Sequence, residues 1–185
     1  MFNRVESLFR SNRVFVFLII YRWASLLPAL FTFGVGDAFL TALPTLILAL
    51  AANTIISIYN HKLNKAVLER PAFLGIDILF SAILLAMSGG AGSPYYLYAL
   101  SPLLAGAFFF QVRGALLASF FFTPLYILIQ VYLQKAATDA ATFTLQITGI
   151  WLLPLLFAYP STLLKSVNKA NEDLANAHRQ LEIIH

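Results

Sequence analysis

The chain has 185 residues, of which 60% are hydrophobic and 11% are charged, and its formal net charge is +4. Soluble domains carry about 25% charged residues, so this composition excludes an ordinary soluble protein and predicts one that lies in a membrane. The chain contains no cysteine, which excludes disulfides and thiolate metal sites within it.

Six segments approach or reach the length of about 20 apolar residues that crosses a bilayer. In chain order they are 14–33, 38–59, 72–88, 95–110, 114–133 and 142–164. The fourth segment is short and contains Pro102, so segments three and four alternatively form a tight hairpin instead of two full crossings. The sequence therefore predicts an all-α polytopic membrane bundle of about six transmembrane helices over residues 14–164, preceded by a cytoplasmic N-terminus of residues 1–13.

Basic residues set the predicted orientation, because cytoplasmic loops of membrane proteins are enriched in Lys and Arg. In the six-span layout, ten of the twelve lie on one side: Arg4, Arg10, Arg13, Lys62, Lys65, Arg70, Arg113, Lys165, Lys169 and Arg179. Lys135 lies on the other side and Arg22 lies within the first span. Both termini are therefore expected in the cytoplasm. The outer loops are too short for a folded domain, so a stimulus is expected to act in or near the bilayer.

Two ionisable residues lie inside predicted spans, where a charge costs about 2.5–3.5 kcal/mol at the helix centre on insertion scales. Arg22 lies eight residues after the start of the first span, and Asp77 lies five residues after the start of the third. With a rise of about 1.5 Å per residue, both lie at similar depth in the cytoplasmic half, which predicts an ion pair between the two helices. Snorkelling of Arg22 to the inner interface is the alternative.

The stretch SGGAGSPYYLY joins the third and fourth spans on the outer side. Two glycines end the third helix where a left-handed residue is favoured, and a proline begins the fourth where a missing N–H is harmless. An aromatic belt accounts for the tyrosines, but the turn is also suited to an apolar ring with two carbonyls, stacked on tyrosine and hydrogen-bonded by polar groups. The residues predicted to bind such a quinone-like ligand are Gly89, Gly90, Ser93, Pro94, Tyr95, Gln130 and Gln146.

Beyond Leu164 the sequence becomes polar and predicts a cytoplasmic signalling helix over residues 165–185. Its apolar residues recur in two series with a period of seven: Val167, Leu174 and Leu181, and Ala170, Ala177 and Ile184. This a/d pattern predicts a two-stranded parallel coiled coil, and hence a homodimer, with a lone amphipathic helix docked on the bundle as the alternative. The seam extends back to Leu163, so the last membrane helix is expected to continue into the coil, and an output domain is expected after His185.

The sequence predicts no catalytic residue and no metal site. It lacks a phosphate-binding glycine loop, an HExxH motif and a nucleophile elbow, and its three histidines are too scattered to hold a metal ion. The lipid bilayer and a second copy of the chain are the expected partners, and the sequence does not predict a nucleic-acid partner.

The segment IDILFSAILLAMSGGAGSPYYLYALSP resembles the third and fourth membrane helices of RegB-type redox-sensing histidine kinases. That family has an early aspartate, a GGxxNPF turn associated with ubiquinone, and a later proline. The matching positions here are Asp77, Gly89, Gly90, Pro94 and Pro102, and the Arg22-Trp23 pair of the first span is also similar. Ser93 and Tyr95 stand where the family motif has asparagine and phenylalanine.

The resemblance implies the membrane sensor region of a bacterial two-component histidine kinase, located in the inner membrane. It implies a quinone at the turn, ATP and Mg²⁺ bound only by a downstream kinase core, and a response regulator as the partner of that core. Related six-span sensors with a GGxxSP turn also precede bacterial histidine kinases. Two other functions stay open: the same sensor attached to a cyclase, and a small stand-alone membrane carrier of a quinone or an apolar solute.

Overall fold

The computed structural model describes residues 16–35, 39–133 and 139–184, and within these ranges the chain forms helices and turns without a strand. The first helix, α1, covers residues 16–24. The others are α2 (Leu27–Val35), α3 (Phe39–Ile58), α4 (Asn60–Glu69), α5 (Ala72–Met87), α6 (Tyr96–Ala99), α7 (Ser101–Leu128) and α8 (Ala140–Ile184). A 3-10 turn at Gly90–Gly92 follows α5, and a π-helix at Ile129–Leu133 follows α7. The all-α prediction is confirmed for these residues.

By length and composition, two helical segments of the described chain are long and apolar enough to cross a membrane, Tyr96–Tyr132 and Ala140–Pro160. Three further apolar helices are shorter, Val16–Thr32, Leu43–Ile58 and Ala72–Met87. The length criterion thus gives two spans where the sequence predicted six. The reason is geometric, because a 16-residue helix such as α5 is about 24 Å long, whereas the hydrocarbon core is about 30 Å thick.

The longer of the two candidate segments folds back on itself within α7. Gln111 has φ 59° and ψ −147°, which lies outside the helical region. In a straight helix, Gly106 and Ala118 would be about 18 Å apart along the axis. Instead, a Cβ atom at Gly106 would lie 3.3 Å from the Cβ of Ala118. The chain therefore reverses at Gln111 and forms two antiparallel arms, residues 101–110 and 112–128, and the predicted boundary between the fourth and fifth spans falls at this reversal.

Two glycines allow the arms of α7 to approach closely. A Cβ atom at Gly106 would lie 3.0 Å from the carbonyl oxygen of Gly114, and a Cβ atom at Gly114 would lie 2.9 Å from the carbonyl carbon of Gly106. Both positions are buried. The backbones of the two arms therefore touch, which a residue with any side chain would prevent.

Buried apolar side chains form three clusters within the described part of the chain. The turn-side cluster joins α2, α3, α5 and α6 and contains Leu26, Ala29, Leu46, Ala49, Leu84, Tyr95 and Tyr98. The central cluster joins α5, both arms of α7 and α8, and includes Ile78, Leu85, Leu103, Phe122, Tyr126 and Ile150. The tip cluster contains Ala107, Ala115 and Ala158, beside the reversal at Gln111. The α7 hairpin is therefore the element on which α5 and α8 pack.

A hydroxyl group compensates for one of the prolines in α8. Pro154 has no N–H to donate to the carbonyl oxygen of Ile150, four residues earlier. Ser119 on the second arm of α7 donates its hydroxyl to that oxygen at 2.7 Å, and both residues are buried. The bond joins α7 to α8 and satisfies a carbonyl that would otherwise be buried without its helical partner.

Two features of the fold concern the ends of the predicted spans. The segment after α3, which the six-span layout leaves between two spans, forms the helix α4, and Leu63 and Val67 recur at helical spacing among its polar residues. The continuity predicted for the last helix is confirmed, because α8 runs for 45 residues from Ala140 to Ile184 as one helix. At about 1.5 Å per residue it is about 67 Å long.

Candidate functional site

The predicted ion pair is present in the structure. Arg22 near the end of α1 donates a hydrogen bond from Nη2 to the Oδ1 of Asp77 on α5. Its Nε donates to the Oγ of Ser101, the first residue of α7, at 2.9 Å. The guanidinium carbon lies 5.3 Å from the ring centroid of Tyr98, within cation–π range. The Arg22 side chain is 8% exposed and that of Asp77 is 22% exposed, so snorkelling to a surface does not describe Arg22.

The break between α1 and α2 begins at Ser25, three residues after Arg22. Pro28 cannot donate to the carbonyl of Ala24, and the helix turns at Ser25 and Leu26 before α2 begins. The hydroxyl of Ser25 donates to the carbonyl oxygen of Arg22 at 2.8 Å, while the N–H of Leu26 bonds to Trp23 instead. The backbone around Arg22 is thus satisfied although the helix ends there.

Further buried polar groups lie at the same depth as the ion pair. Asn53 on α3 and Ser81 on α5 are fully buried, and both side-chain polar atoms of Asn53 and the hydroxyl of Ser81 have no hydrogen-bond partner. The same is true of the hydroxyl of Tyr98. Arg22 and Asn53 are each four residues from a member of the turn-side cluster, and Ser81 is three residues from another.

These residues form one polar layer across five helices. Helices α1 and α5 run toward the end of the bundle that carries the turn, whereas α3 and the first arm of α7 run away from it. Counting one helical turn from the turn-side cluster leads to Arg22, Asn53 and Ser81, and Asp77 lies one further turn along α5. The polar layer consists of Arg22, Asn53, Asp77, Ser81, Tyr98 and Ser101.

A cavity of about 350 Å³ lies on the side of the polar layer that faces away from the turn. Three of its lining residues are polar, Arg22, Asp77 and Ser101, and the others are apolar residues of α1, α3, α4, α5 and the first arm of α7. Ile55 and Ile76 line it and are 56% and 62% exposed, so the cavity reaches the surface of the bundle. It is an apolar chamber with a charged pair in its wall.

The turn between α5 and α6 has the left-handed conformation that was predicted for its first glycine. Gly89 has φ 103°, a left-handed conformation that favours glycine, and Gly90 has φ 62°. The Oγ of Ser93 contacts the hydroxyl of Ser88 at 2.5 Å and accepts a hydrogen bond from the N–H of Tyr95 at 3.1 Å. Helix α6 begins at Tyr96, so Pro94 lies in the turn before the helix and not at its first position.

Gln146 of α8 ties the turn to the rest of the bundle. Its Nε2 donates to the carbonyl oxygen of Ala91 at 2.8 Å, and its Oε1 accepts a hydrogen bond from the hydroxyl of Tyr126. The hydroxyl of Tyr96 donates to the backbone carbonyl of Gln146 at 2.7 Å. Gln130 belongs to the π-helix Ile129–Leu133, which packs against the turn. The structure therefore brings both predicted glutamines to the turn.

A family model described as a domain of unknown function (DUF8745) matches residues 12–160. The chain belongs to this family. The match covers the bundle through Pro160 and leaves out the polar part of α8 that follows. The comparisons with curated proteins and with solved structures found no match.

In this DUF8745 chain, the residues predicted to bind a ligand at the turn are close together, but the side chains of Gln146 and Ser93 already bond to neighbouring residues of the bundle. The side chain of Gln146 binds Ala91 and Tyr126, and the hydroxyl of Ser93 binds Ser88 and Tyr95. None of the seven residues predicted for the ligand lines the cavity. The turn is thus held together internally, and the cavity lies beside the predicted ion pair instead.

Several residues of the site in this DUF8745 chain were not predicted from the sequence. Ser101 and Tyr98 complete the surroundings of Arg22, and Leu63 and Val67 of α4 contribute to the wall of the cavity. Asn53 is polar within an apolar segment, which is a signal that the polar layer extends to α3. Leu63 and Val67 are four residues apart, which is the spacing of neighbours on one face of a helix.

The predicted coiled-coil seam lies on the outer surface of α8. Val167, Ala170 and Leu174 are exposed on this single chain, Leu174 by 71%. Ala177, Leu181 and Ile184 belong to the same helix, but their side chains lie outside the described part of the structure. The helix is confirmed, and the second strand of the coil stays a prediction.

Proposed function

We propose that the chain is a membrane-embedded sensor module of a bacterial signalling protein, which responds to a membrane-soluble, quinone-like signal and controls a histidine kinase core through α8. The observation that carries this proposal is the single helix α8, which packs on the α7 hairpin and continues without a break into the polar segment. In this proposal the chain is a polytopic inner-membrane bundle of six spans with cytoplasmic termini, dimeric through the C-terminal helix, and the kinase core acts on a response regulator.

The surface of the bundle supports placement in a bilayer. Large apolar side chains are exposed on several helices, among them Phe31 (73%), Phe120 (63%) and Leu145 (73%). Exposed apolar surface of this extent marks a face that contacts lipid or a partner. Because α7 reverses at Gln111, its two arms supply two of the six proposed spans. The spans are short, and a bilayer accommodates short spans by thinning at modest cost.

The distribution of charge supports the orientation. The exposed Arg113 follows the reversal of α7, and Lys65 and Glu69 form an exposed ion pair on α4 with a separation of 3.8 Å. Both places lie at the end of the bundle opposite the Gly89–Gly92 turn, because α5 and the arms of α7 connect the two ends. Basic residues favour the cytoplasmic side, which puts the turn outside.

Single-cysteine labelling tests this topology, because the chain has no cysteine of its own. We expect a membrane-impermeant maleimide to label Gly92→Cys in cells whose inner membrane is intact. We expect it to label Arg113→Cys and Lys65→Cys only after that membrane is opened. Phe120→Cys, on the exposed apolar surface, is the control and stays unlabelled in both cases because a thiol in hydrocarbon does not ionise. Labelling of Gly92→Cys and Arg113→Cys from the same side would exclude two crossings by the arms of α7.

A phase-shift experiment tests the role of α8 in signalling. The chain is fused to a cytoplasmic histidine kinase core, and one to seven alanines are inserted after Leu164, between the bundle and the predicted seam. Each insertion rotates the seam by about 100° relative to the bundle, and seven residues restore the heptad phase. We therefore expect autophosphorylation in membranes to change with the first insertions and to return to its starting level at seven.

The matched control is the same fusion beginning at Lys165, which lacks the bundle. Without the bundle, inserted residues do not rotate the seam relative to any fixed element. The autophosphorylation of this control is therefore expected to be the same at every insertion length. Identical profiles with and without the bundle would exclude control of the kinase by the membrane helices. That result would favour the stand-alone carrier, in which the polar end of α8 has no signalling role.

The histidine kinase output is supported by the resemblance of residues 76–102 to RegB-type sensors, whereas a coiled linker alone fits any dimeric output. Within the resemblance, the aspartate is Asp77, which pairs with Arg22, and the glycine turn has the left-handed conformation that its first two residues favour. The proposal includes a quinone-like ligand, for which the turn is the position predicted from the sequence. ATP and Mg²⁺ belong to the kinase core and not to these helices.

A further inference from the structure

The cavity beside the ion pair has the features of a ligand site. Its volume of about 350 Å³ lies at the low end of the range of about 300–1,000 Å³ for small-molecule pockets. Its wall is apolar apart from Arg22, Asp77 and Ser101. Such a combination, an apolar chamber with a few convergent polar groups, is typical of sites that hold an apolar molecule and fix its orientation.

The two charges in the wall of the cavity determine whether a ligand there can be charged. Arg22 and Asp77 carry opposite charges and are paired, so together they add no net charge to the chamber. An anionic ligand would leave one uncompensated negative charge in apolar surroundings, which is costly. A neutral carbonyl group adds no charge and accepts hydrogen bonds.

Arg22 has donors for such a group. A guanidinium carries five N–H donors, and the hydrogen bonds to Ser101 and Asp77 use two of them. Arg22 also lines the cavity. A carbonyl oxygen that enters the chamber can therefore accept a hydrogen bond from Arg22 without displacing Asp77.

The entrance of the cavity favours a ligand that arrives from the lipid. Ile55 on α3 and Ile76 on α5 line the chamber and are both more than half exposed. Both positions lie in spans of the proposed bundle, so the opening faces hydrocarbon. A water-soluble molecule would have to leave water and cross apolar side chains to reach Arg22.

We propose that this cavity binds a neutral, membrane-soluble molecule that accepts a hydrogen bond from Arg22 through a carbonyl group. The proposal rests on the membrane placement of the proposed function, and it locates the ligand in the chamber beneath the polar layer and not at the Gly89–Gly92 turn. Two kinds of membrane molecule carry such a neutral carbonyl group, a quinone through its ring and a lipid through its ester. The anion of a fatty acid is charged and does not meet this requirement.

Thermal unfolding of the purified, delipidated full chain in detergent tests the proposal with three probes: a short-tailed benzoquinone, methyl decanoate and sodium decanoate. A ligand that binds the folded state raises the unfolding temperature. We expect one or both neutral probes to raise it and decanoate to leave it unchanged. The stronger of the two neutral probes identifies the source as quinone or ester. A rise with decanoate alone, or with none of the probes, would overturn the proposal.

Two neighbouring alanines of α3 supply a matched pair of variants. Ala52 lines the cavity, whereas Ala51 is exposed on the outer face of the helix. We expect Ala52→Phe to fill the chamber and weaken binding of the neutral probe on the order of tenfold or more, while Ala51→Phe binds as the wild type does. If Ala52→Phe does not fold, Ala105→Leu fills the chamber from the first arm of α7.

A variant at the turn separates the two candidate positions of the ligand. Ser93→Ala removes the hydroxyl that holds the turn without touching the cavity, and it is expected to keep the binding. Loss of binding in Ser93→Ala together with full binding in Ala52→Phe would place the ligand at the turn and refute the cavity. Because no kinase output is measured, this result is independent of the phase-shift experiment, which can fail while the cavity still binds.

Discussion

Replacing Gly114 by alanine is expected to destabilise the bundle by at least about 3 kcal/mol, the upper end of the usual range for an overpacked core. The added Cβ would lie 2.9 Å from the carbonyl carbon of Gly106, which is backbone and cannot rotate away. The two arms of α7 would have to separate, and α5 and α8 both pack on them. The measurement is the free energy of unfolding from a denaturant titration in mixed micelles.

The control for this prediction is the same substitution at Gly75 in α5. A Cβ atom there would meet no atom within 4 Å, and alanine is favoured over glycine inside a helix by about 0.5–1 kcal/mol. Gly75→Ala is therefore expected to leave the stability unchanged or to raise it slightly. Equal effects of Gly75→Ala and Gly114→Ala would contradict the close contact between the arms.

The position of the α7 reversal was predictable from charge, but its conformation was not. Arg113 divides two apolar segments, and this led to a boundary between residues 110 and 114, where the structure has Gln111 with a positive φ. Composition and length alone merge the two arms into one long helix. The close approach of Gly106 and Gly114 depends on the tertiary fold, because nothing in their local sequence states that they face each other.

The ion pair was also predictable from the sequence, whereas the cavity beside it was not. Counting the helical rise from the start of each span put Arg22 and Asp77 at the same depth, and the structure has them paired. The same rise per residue puts Asn53 and Ser101 near that depth as well. The cavity below the pair depends on how five helices leave space between them, and no local pattern of residues encodes a space.

Helix α4 was missed for a different reason. Its residues are mostly polar, and a polar segment between two apolar spans is usually a loop. Leu63 and Val67 are four residues apart and line the cavity together, so a single apolar stripe is enough to hold this short helix against α5. The periodicity was present in the sequence, but ten residues are too few for it to stand out.

Removing one partner of the Arg22–Asp77 pair is expected to be the other change with a large effect. Asp77→Ala leaves a buried guanidinium without its counter-charge, and loss of one partner of a buried pair costs about 3–5 kcal/mol. Arg22→Ala leaves the carboxylate and also removes the hydrogen bond to Ser101 and the contact with Tyr98. We therefore expect Arg22→Ala to be at least as destabilising as Asp77→Ala, measured by the same titration.

The double variant distinguishes a pair from two separate residues. With both charges absent, neither is left alone in the apolar surroundings, so Arg22→Ala/Asp77→Ala is expected to lose less stability than the sum of the single losses. The expected difference is about 0.5–3 kcal/mol, the range for residues in contact. The comparison pair is Lys65 and Glu69 on α4, whose side chains are 79% and 63% exposed, and exposed pairs contribute about 0–1 kcal/mol. Strictly additive losses at Arg22 and Asp77 would mean that the two charges do not stabilise each other. The ion pair would then not be the interaction that holds α1 and α5 together in the polar layer.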